Sequence, residues 1–246
     1  MKKKLILILV IVILIVLEGF IIFSLNKDND KQDIINLNVN DKLVQKLYKM
    51  ANPSDNAILL DDLYGKKKLS NKYKIAMGIM DYLRDNKVLN DGLSDYIKED
   101  DVINHIKLTL GETEYKPEDV LIMSGDICGF KYNGDLKRYE DAGGCGDMGY
   151  ERFYREITSA YKENDRLYIK EKSFFVYNDW NDYYSHVSVF TNIDKKNLID
   201  YYEEDSNGSR DIKPSDYIDK GSVYEYEFKK IDNNNNYIFK GVKRLK

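Results

Sequence analysis

The sequence predicts an α+β protein held in a membrane by its N-terminus. Three observations carry this. Leu5 to Leu25 holds 18 Leu, Ile, Val or Phe in 21 positions, interrupted only by Glu18, Gly19 and Ser24. The stretches that follow have apolar residues at helical spacing, and the later ones alternate as strands do. Helices first and antiparallel strands after is the order of an α+β domain. The mean hydropathy of −0.56 and 33% charged residues describe a water-soluble remainder. No second apolar run approaches the ~18 residues of a spanning helix, which excludes a polytopic membrane protein. Aromatic residues at 13% give the chain enough to bury, which excludes wholesale disorder.

The organisation follows in order. Residues 1–4 form a cytoplasmic stub, 5–25 an anchor, 26–40 a linker and 41–246 an extracytoplasmic domain, helical to about 124 and sheet-rich from about 125. A 21-residue helix is ~31 Å long and matches a hydrocarbon core of ~30 Å. At about −0.4 kcal/mol each, 18 strongly apolar residues favour insertion by ~7 kcal/mol, and Glu18 opposes this by only ~2–3 kcal/mol. Lys2, Lys3 and Lys4 precede the run, whereas the charges after it nearly cancel. The positive-inside rule therefore places the N-terminus in the cytoplasm and the rest outside, at the cell membrane. A cleaved signal peptide is the rival, but it has a shorter apolar region followed by a small-x-small site. The lipid bilayer is thus the first expected partner.

Asp41 to Met50 places Leu43, Val44, Leu47 and Met50 at helical spacing, and Pro53 stops it. Ser70 suits the N-cap of a helix running to about Lys87, with Tyr73, Met77, Ile79, Met80 and Leu83 inward. Ser94 suits the cap of a third, with Ile97, Ile103, Ile106 and Leu110 inward and Gly111 as its stop. Glu118 to Met123 reads as one further helical turn. Ile127 to Tyr132 reads as a strand ended by the turn dipeptide Asn133-Gly134. Phe153, Tyr154, Ile157 and Tyr161 suit a helix, but from about 156 a hairpin through Asn164-Asp165 is favoured. Tyr184 to Asn192 is a further strand. Val223–Phe228 and Tyr237–Val242 form the clearest hairpin, turned at Asn233 to Asn236.

Setting aside Lys2 to Lys4 and Glu18 leaves 35 Lys+Arg against 41 Asp+Glu, a net charge of −6. That sign excludes a nucleic-acid partner, which needs a dense basic face. Cys128 and Cys145, the only cysteines, are expected to form a disulfide in an oxidising compartment. His105 and His186 lack ligand spacing and the Gly143-Gly144 region lacks a phosphate-loop pattern, so no metal or cofactor is expected. Acidic runs such as Glu203-Glu204-Asp205 read as solvated faces.

Two resemblances bear on function. Asp165 to Lys172, Tyr224 to Phe228 and Asn236 to Phe239 are similar to uncharacterised membrane-anchored proteins of AT-rich bacterial genomes. That resemblance implies helices packed on a curved antiparallel sheet, cystatin-like or NTF2-like, and implies no activity. Asp126-Ile127-Cys128-Gly129-Phe130 and His186-Val187-Ser188-Val189-Phe190 resemble the nucleophile and histidine strands of NlpC/P60 cell-wall peptidases. This second resemblance implies Cys128 as a nucleophile with His186 as its base. The motif departs from the family by the inserted Ile127 and by a missing serine, and Cys128 lies in a strand-like run. The leading expectation is therefore an interaction domain at the cell envelope rather than an enzyme. Its ligand would be an envelope protein, a peptide or a glycan. Tyrosine is the residue in excess, 21 against 9 Phe. Tyr183, Tyr184, Tyr224, Tyr226 and Tyr237 are the candidates to line a concave binding sheet.

Overall fold

The computed structural model describes residues 34–51, 69–86, 96–111, 114–120, 129–142, 150–180, 184–192, 195–205 and 212–245. The chain divides into two units, and all of these but Ile34 belong to the second, Ile35–Lys246. The expected membrane segment Leu5 to Leu25 and both cysteines lie outside the described residues. No helix among the described residues is long and apolar enough to cross a membrane.

The described fold is α+β with antiparallel sheets. In chain order it runs β1 (Ile34–Leu37), α1 (Lys42–Ala51), α2 (Asn71–Asp85), β2 (Tyr96–Lys98), α3 (Glu99–Leu110), β3 (Phe130–Asn133) and β4 (Arg138–Asp141). Then follow β5 (Tyr150–Glu163), β6 (Arg166–Trp180), β7 (Tyr184–Phe190), β8 (Leu198–Asp205), β9 (Ser222–Lys230) and β10 (Tyr237–Arg244). Strands β2, β4 and β3 make a small sheet, and the other seven make the large one.

Strand β6 organises the large sheet. One of its edges pairs with β5 throughout, from Arg166↔Glu163 to Asn178↔Tyr150. Its other edge is shared. Arg166 to Ser173 pair with β9, and Phe175 to Trp180 pair with β7. The sheet therefore forks, with β10 beyond β9 and β8 beyond β7.

Two apolar clusters use the two faces of this strand. Leu167 and Ile169, at odd positions, join the main core with α1, α2, α3 and the tyrosines and phenylalanines of β9 and β10. Phe174 and Val176, at even positions, join Val187, Val189, Tyr217 and Ile218 in a smaller one. Strand side chains alternate, so the two clusters lie on opposite faces. The short 3-10 turns Pro214–Asp216 and Ile218–Lys220 bring Tyr217 and Ile218 over the second.

At the fork, the Ser222 N–H donates to the Thr191 carbonyl (3.2 Å), and the Tyr224 hydroxyl donates to Asn192 Oδ1 (2.8 Å). Both Ser222 and Asn192 are buried, so these bonds satisfy groups that water cannot reach.

Helix α2 runs through the centre of the helical layer. Every residue from Tyr73 to Met80 is buried, Gly78 among them. A Cβ on Gly78 would sit 2.7 Å from Ile106 Cγ1 and 2.8 Å from the Val102 carbonyl oxygen of α3. Alanine gains about 0.8–1 kcal/mol of helix propensity over glycine, but overpacking costs ~1–3 kcal/mol. Because one of the contacts is backbone, the clash should win. Gly78→Ala is expected to cost a net ~1–2 kcal/mol of stability, read as a lower urea midpoint. A higher midpoint would contradict the close approach of α2 and α3.

Several expectations are met closely. Ser70 caps α2, its Oγ accepting from the Tyr73 N–H at 3.2 Å, and Gly111 ends α3 in a left-handed conformation at φ +69°. The β9–β10 hairpin turns where the asparagines predict, with Asp232 Oδ1 accepting from the Asn234 and Asn236 N–H groups.

Other expectations are corrected. Residues 96–98 are a strand, so α3 begins at Glu99 and Val102 rather than Ile103 is buried. The acidic first turn Glu99, Asp100 and Asp101 suits the positive end of the helix dipole there. Val120 bridges Phe130 rather than sitting in a helical turn. Tyr150 to Ile157 are strand throughout, because pairing to β6 overrides the local helical spacing. Within the expected linker, Ile34–Leu37 is an edge strand of the large sheet. The acidic run Glu203-Glu204-Asp205 ends strand β8, and Glu203 is exposed there as a solvated face requires.

Candidate functional site

Helix α1 carries two parallel stripes. Lys42, Lys46 and Lys49 recur at i, i+4 and i+7, and so do Leu43, Leu47 and Met50. At 100° per residue the stripes stand about 100° apart around the axis. Val44, Leu47 and Ala51 face the core and fix the helix rotation, which leaves Leu43 and Met50 half-buried beside the exposed lysines.

That flank of α1 forms one wall of a groove of about 1030 Å³. The end of α2 contributes Asp81, Arg84 and Asp85, and α3 contributes Asn104, Lys107, Leu108 and Thr109. The β9–β10 turn and its flanks contribute Ile231, Asn235, Asn236 and Tyr237. Leu108 is 65% exposed and Ile231 56%, large apolar side chains held open to solvent. Five cations line the groove (Lys42, Lys46, Lys49, Arg84, Lys107) against two carboxylates, although the whole chain is net −4. Among the described residues the four lysines have no ion-pair partner, and only Arg84 is paired, to Asp81 at 3.2 Å.

One end of the groove is an internal clasp. Asp81 Oδ2 accepts from the Thr109 hydroxyl at 3.0 Å and lies 3.0 Å from His105 Nδ1, while Oδ1 accepts from Arg84. Tyr82 stands edge-on to the His105 ring at 5.6 Å. Asp81, Asp85 and His105 offer three ligand atoms within 4.8 Å of one another, so they are the described residues best placed to hold a cation. A metal there would have to displace bonds that already join α2 to α3. The arrangement reads as a structural clasp.

A buried carboxyl sets the position of α1. Glu171 of β6 is fully buried, and its Oε2 accepts hydrogen bonds from the Tyr48 hydroxyl of α1 and, at 3.3 Å, from the Tyr226 hydroxyl of β9. The Tyr48 and Tyr226 rings meet edge to face at 5.9 Å. Glu171 Oε1 is buried without a hydrogen-bond partner. Burial pushes the carboxyl pKa up, and the Arg155 guanidinium and the two hydroxyls offset this only partly. A second tyrosine clasp holds the start of α3, where Tyr132 and Tyr115 donate to Glu99 at 2.6 and 3.1 Å. The bond to Glu99 pushes the Tyr132 phenol up to about 12.

The residues singled out from sequence are placed as follows. Tyr224 and Tyr226 are buried in the main core, 1% and 0% exposed, and line no open surface. Their side of the sheet is covered by helices, and their hydroxyls reach Asn192 and Glu171. Tyr237 is buried at 7% exposure, but it lines the groove. Tyr183 and the side chain of Tyr184 lie outside the described residues, as do Cys128 and Cys145. Neither the bridge nor a Cys128–His186 pair therefore has a described geometry. His186 stacks on Tyr201 at 6.1 Å, with Nδ1 2.8 Å from its hydroxyl and 3.7 Å from Glu203 Oε1. The lysine stripe escaped sequence reasoning, though its i, i+4, i+7 spacing was in plain view beside the leucines. No protein-family model matches this chain, and comparisons with curated proteins and with solved structures return no match.

Proposed function

We propose that this chain is a single-pass membrane protein whose extracytoplasmic α+β domain is a binding module at the cell envelope, without catalysis. The groove between α1, α3 and the β9–β10 turn is its binding face. The observation that carries the reading is the meeting, in one concavity, of open apolar side chains with lysines that form no ion pair among the described residues. Exposed apolar surface of this kind, rimmed by polar groups, marks interaction sites. The apolar run Leu5 to Leu25 behind three lysines supports the anchor. The helices lying against β9 and β10 in the main core support a helix-backed curved sheet of the cystatin-like kind.

The test uses the full-length protein in its own cells, with a photo-crosslinking phenylalanine analogue placed singly at Leu108, Ile231, Leu136 or Leu198. All four positions are exposed, and only the first two face the groove. Adducts are expected from Leu108 and Ile231 and not from Leu136 or Leu198. No adduct, or the same adducts from all four, would remove the binding reading.

A further inference from the structure

The groove's chemistry is specific enough to name a class of occupant. The lysine stripe of α1 and Lys107 of α3 line it together with the apolar side chains of Leu43, Leu47, Met50, Leu108 and Ile231. An occupant that satisfies both must place carboxylates against the lysines and apolar side chains against the floor. The stripes repeat at i, i+4 and i+7, the spacing that a second helix presents on its own faces. Helix α1 is ten residues, about 15 Å long, and an acidic helix of about ten residues covers the same span. We infer that the groove binds an acidic amphipathic helix of another protein, with its acidic side chains on Lys42, Lys46, Lys49 and Lys107 and its apolar side chains between Leu43, Met50, Leu108 and Ile231.

The inference deepens the binding reading and rests on it. A membrane surface is the other chemistry that lysines beside leucines attract. Concavity decides against it, because a flat bilayer reaches a rim and not the floor. Deeply buried Leu47 and the largely buried Tyr237 line the same groove. Lysines at the rim speed and select the encounter, while the apolar floor holds the complex.

The experiment measures fluorescence anisotropy with the full-length protein in neutral-lipid nanodiscs. The probe is a labelled peptide of about 14 residues carrying a Glu stripe beside a Leu stripe, ~21 Å as a helix. Binding is expected to weaken about tenfold or more when the peptide's Glu become Gln, when the protein carries K46E/K49E, and when it carries L108S. Equal binding of the Glu and Gln peptides would overturn the acidic class and leave the binding face standing. Absence of groove-specific adducts from Leu108 and Ile231 would overturn the face itself. Peptide binding that K46E/K49E leaves unchanged in neutral-lipid nanodiscs, together with competition by phosphatidylglycerol nanodiscs that K46E/K49E abolishes, would assign the lysines to a membrane and overturn the proposal. Two further results would also overturn it by naming another occupant. One is tighter peptide binding after D61K/D62K, which assigns the groove to the chain's own acidic stretch. The other is self-association that L108S abolishes, which assigns it to a second copy.

Discussion

Glu171→Gln should make the protein more stable at neutral pH, and Glu171→Leu should cripple it. The carboxyl is buried on β6 among Tyr48, Tyr226 and Arg155, and burial raises its pKa above the ordinary value of 4.5. The folded state therefore keeps the proton over a range of pH in which the unfolded chain has lost it. Stability falls as pH rises from about 4.5 to the raised folded value, and is flat beyond it. Each tenfold change in proton affinity is worth ~1.4 kcal/mol. Glutamine keeps an oxygen acceptor for the two tyrosine hydroxyls and has no proton to lose. Its urea midpoint should match the wild type near pH 4 and exceed it at pH 7.5. Leucine removes the acceptor, strands the buried Tyr226 hydroxyl at ~1–3 kcal/mol, and breaks the Tyr48 bond that ties α1 to β6. Since α1 carries the lysine stripe, Glu171→Leu should also weaken binding in the groove. A glutamine variant less stable than wild type at pH 7.5 would show instead that Glu171 is ionised against Arg155 in the folded state.

Gly221→Ala should be more damaging than the same change at Gly78, Gly111, Gly134 or Gly241. Gly221 has φ −72°, a conformation open to any residue, so the obstacle is space alone. Its Cβ would stand 2.0 Å from the Ser173 carbonyl oxygen and 2.8 Å from the carbonyl carbon, both backbone atoms of β6. Ser173 is the last residue of β6 that pairs with β9, and Ser222 opposite it donates across the fork to Thr191. Relief requires β9 to move away from β6 where the sheet divides. Overpacking of flexible side chains costs ~1–3 kcal/mol, and a clash with fixed backbone belongs at or above the top of that range. For a domain of this size the loss corresponds to a fall in Tm of ~2–4 °C per kcal/mol. Calorimetry of Gly221→Ala beside Gly134→Ala makes the comparison, because a Cβ on Gly134 meets only Tyr132 at 3.6 Å. Equal Tm values for the two variants would contradict the fork.

Much of this fold is legible in the sequence wherever a local signal and the tertiary structure agree. Ser70, Gly111 and the asparagines after Asp232 mark element ends because their backbone chemistry is local. Failures occur where pairing partners decide. Residues 96–98 are strand only because β4 lies beside them, and Ile34–Leu37 only because β5 does. Strand β8 hides in an acidic run, since an edge strand can be polar on its open side. The tyrosines show the same limit for function. An alternating Tyr-Glu-Tyr strand reads equally as a binding surface or a core face, and only the helices over β9 make Tyr224 and Tyr226 core. The groove needs four separate segments, α1, the end of α2, α3 and the β9–β10 turn, and no local pattern joins them. What the sequence does hold is one wall of it, the lysine and leucine stripes of α1.

In the proposed topology, lipid holds the N-terminus while the α+β domain and its groove face the outside of the cell. Adding protease to intact cells and following an epitope fused after Lys246 tests it most directly. The epitope is expected to be digested without lysis while a cytoplasmic marker survives. An epitope protected until the cells are lysed would contradict it, and with it the envelope role and the expected bridge between Cys128 and Cys145.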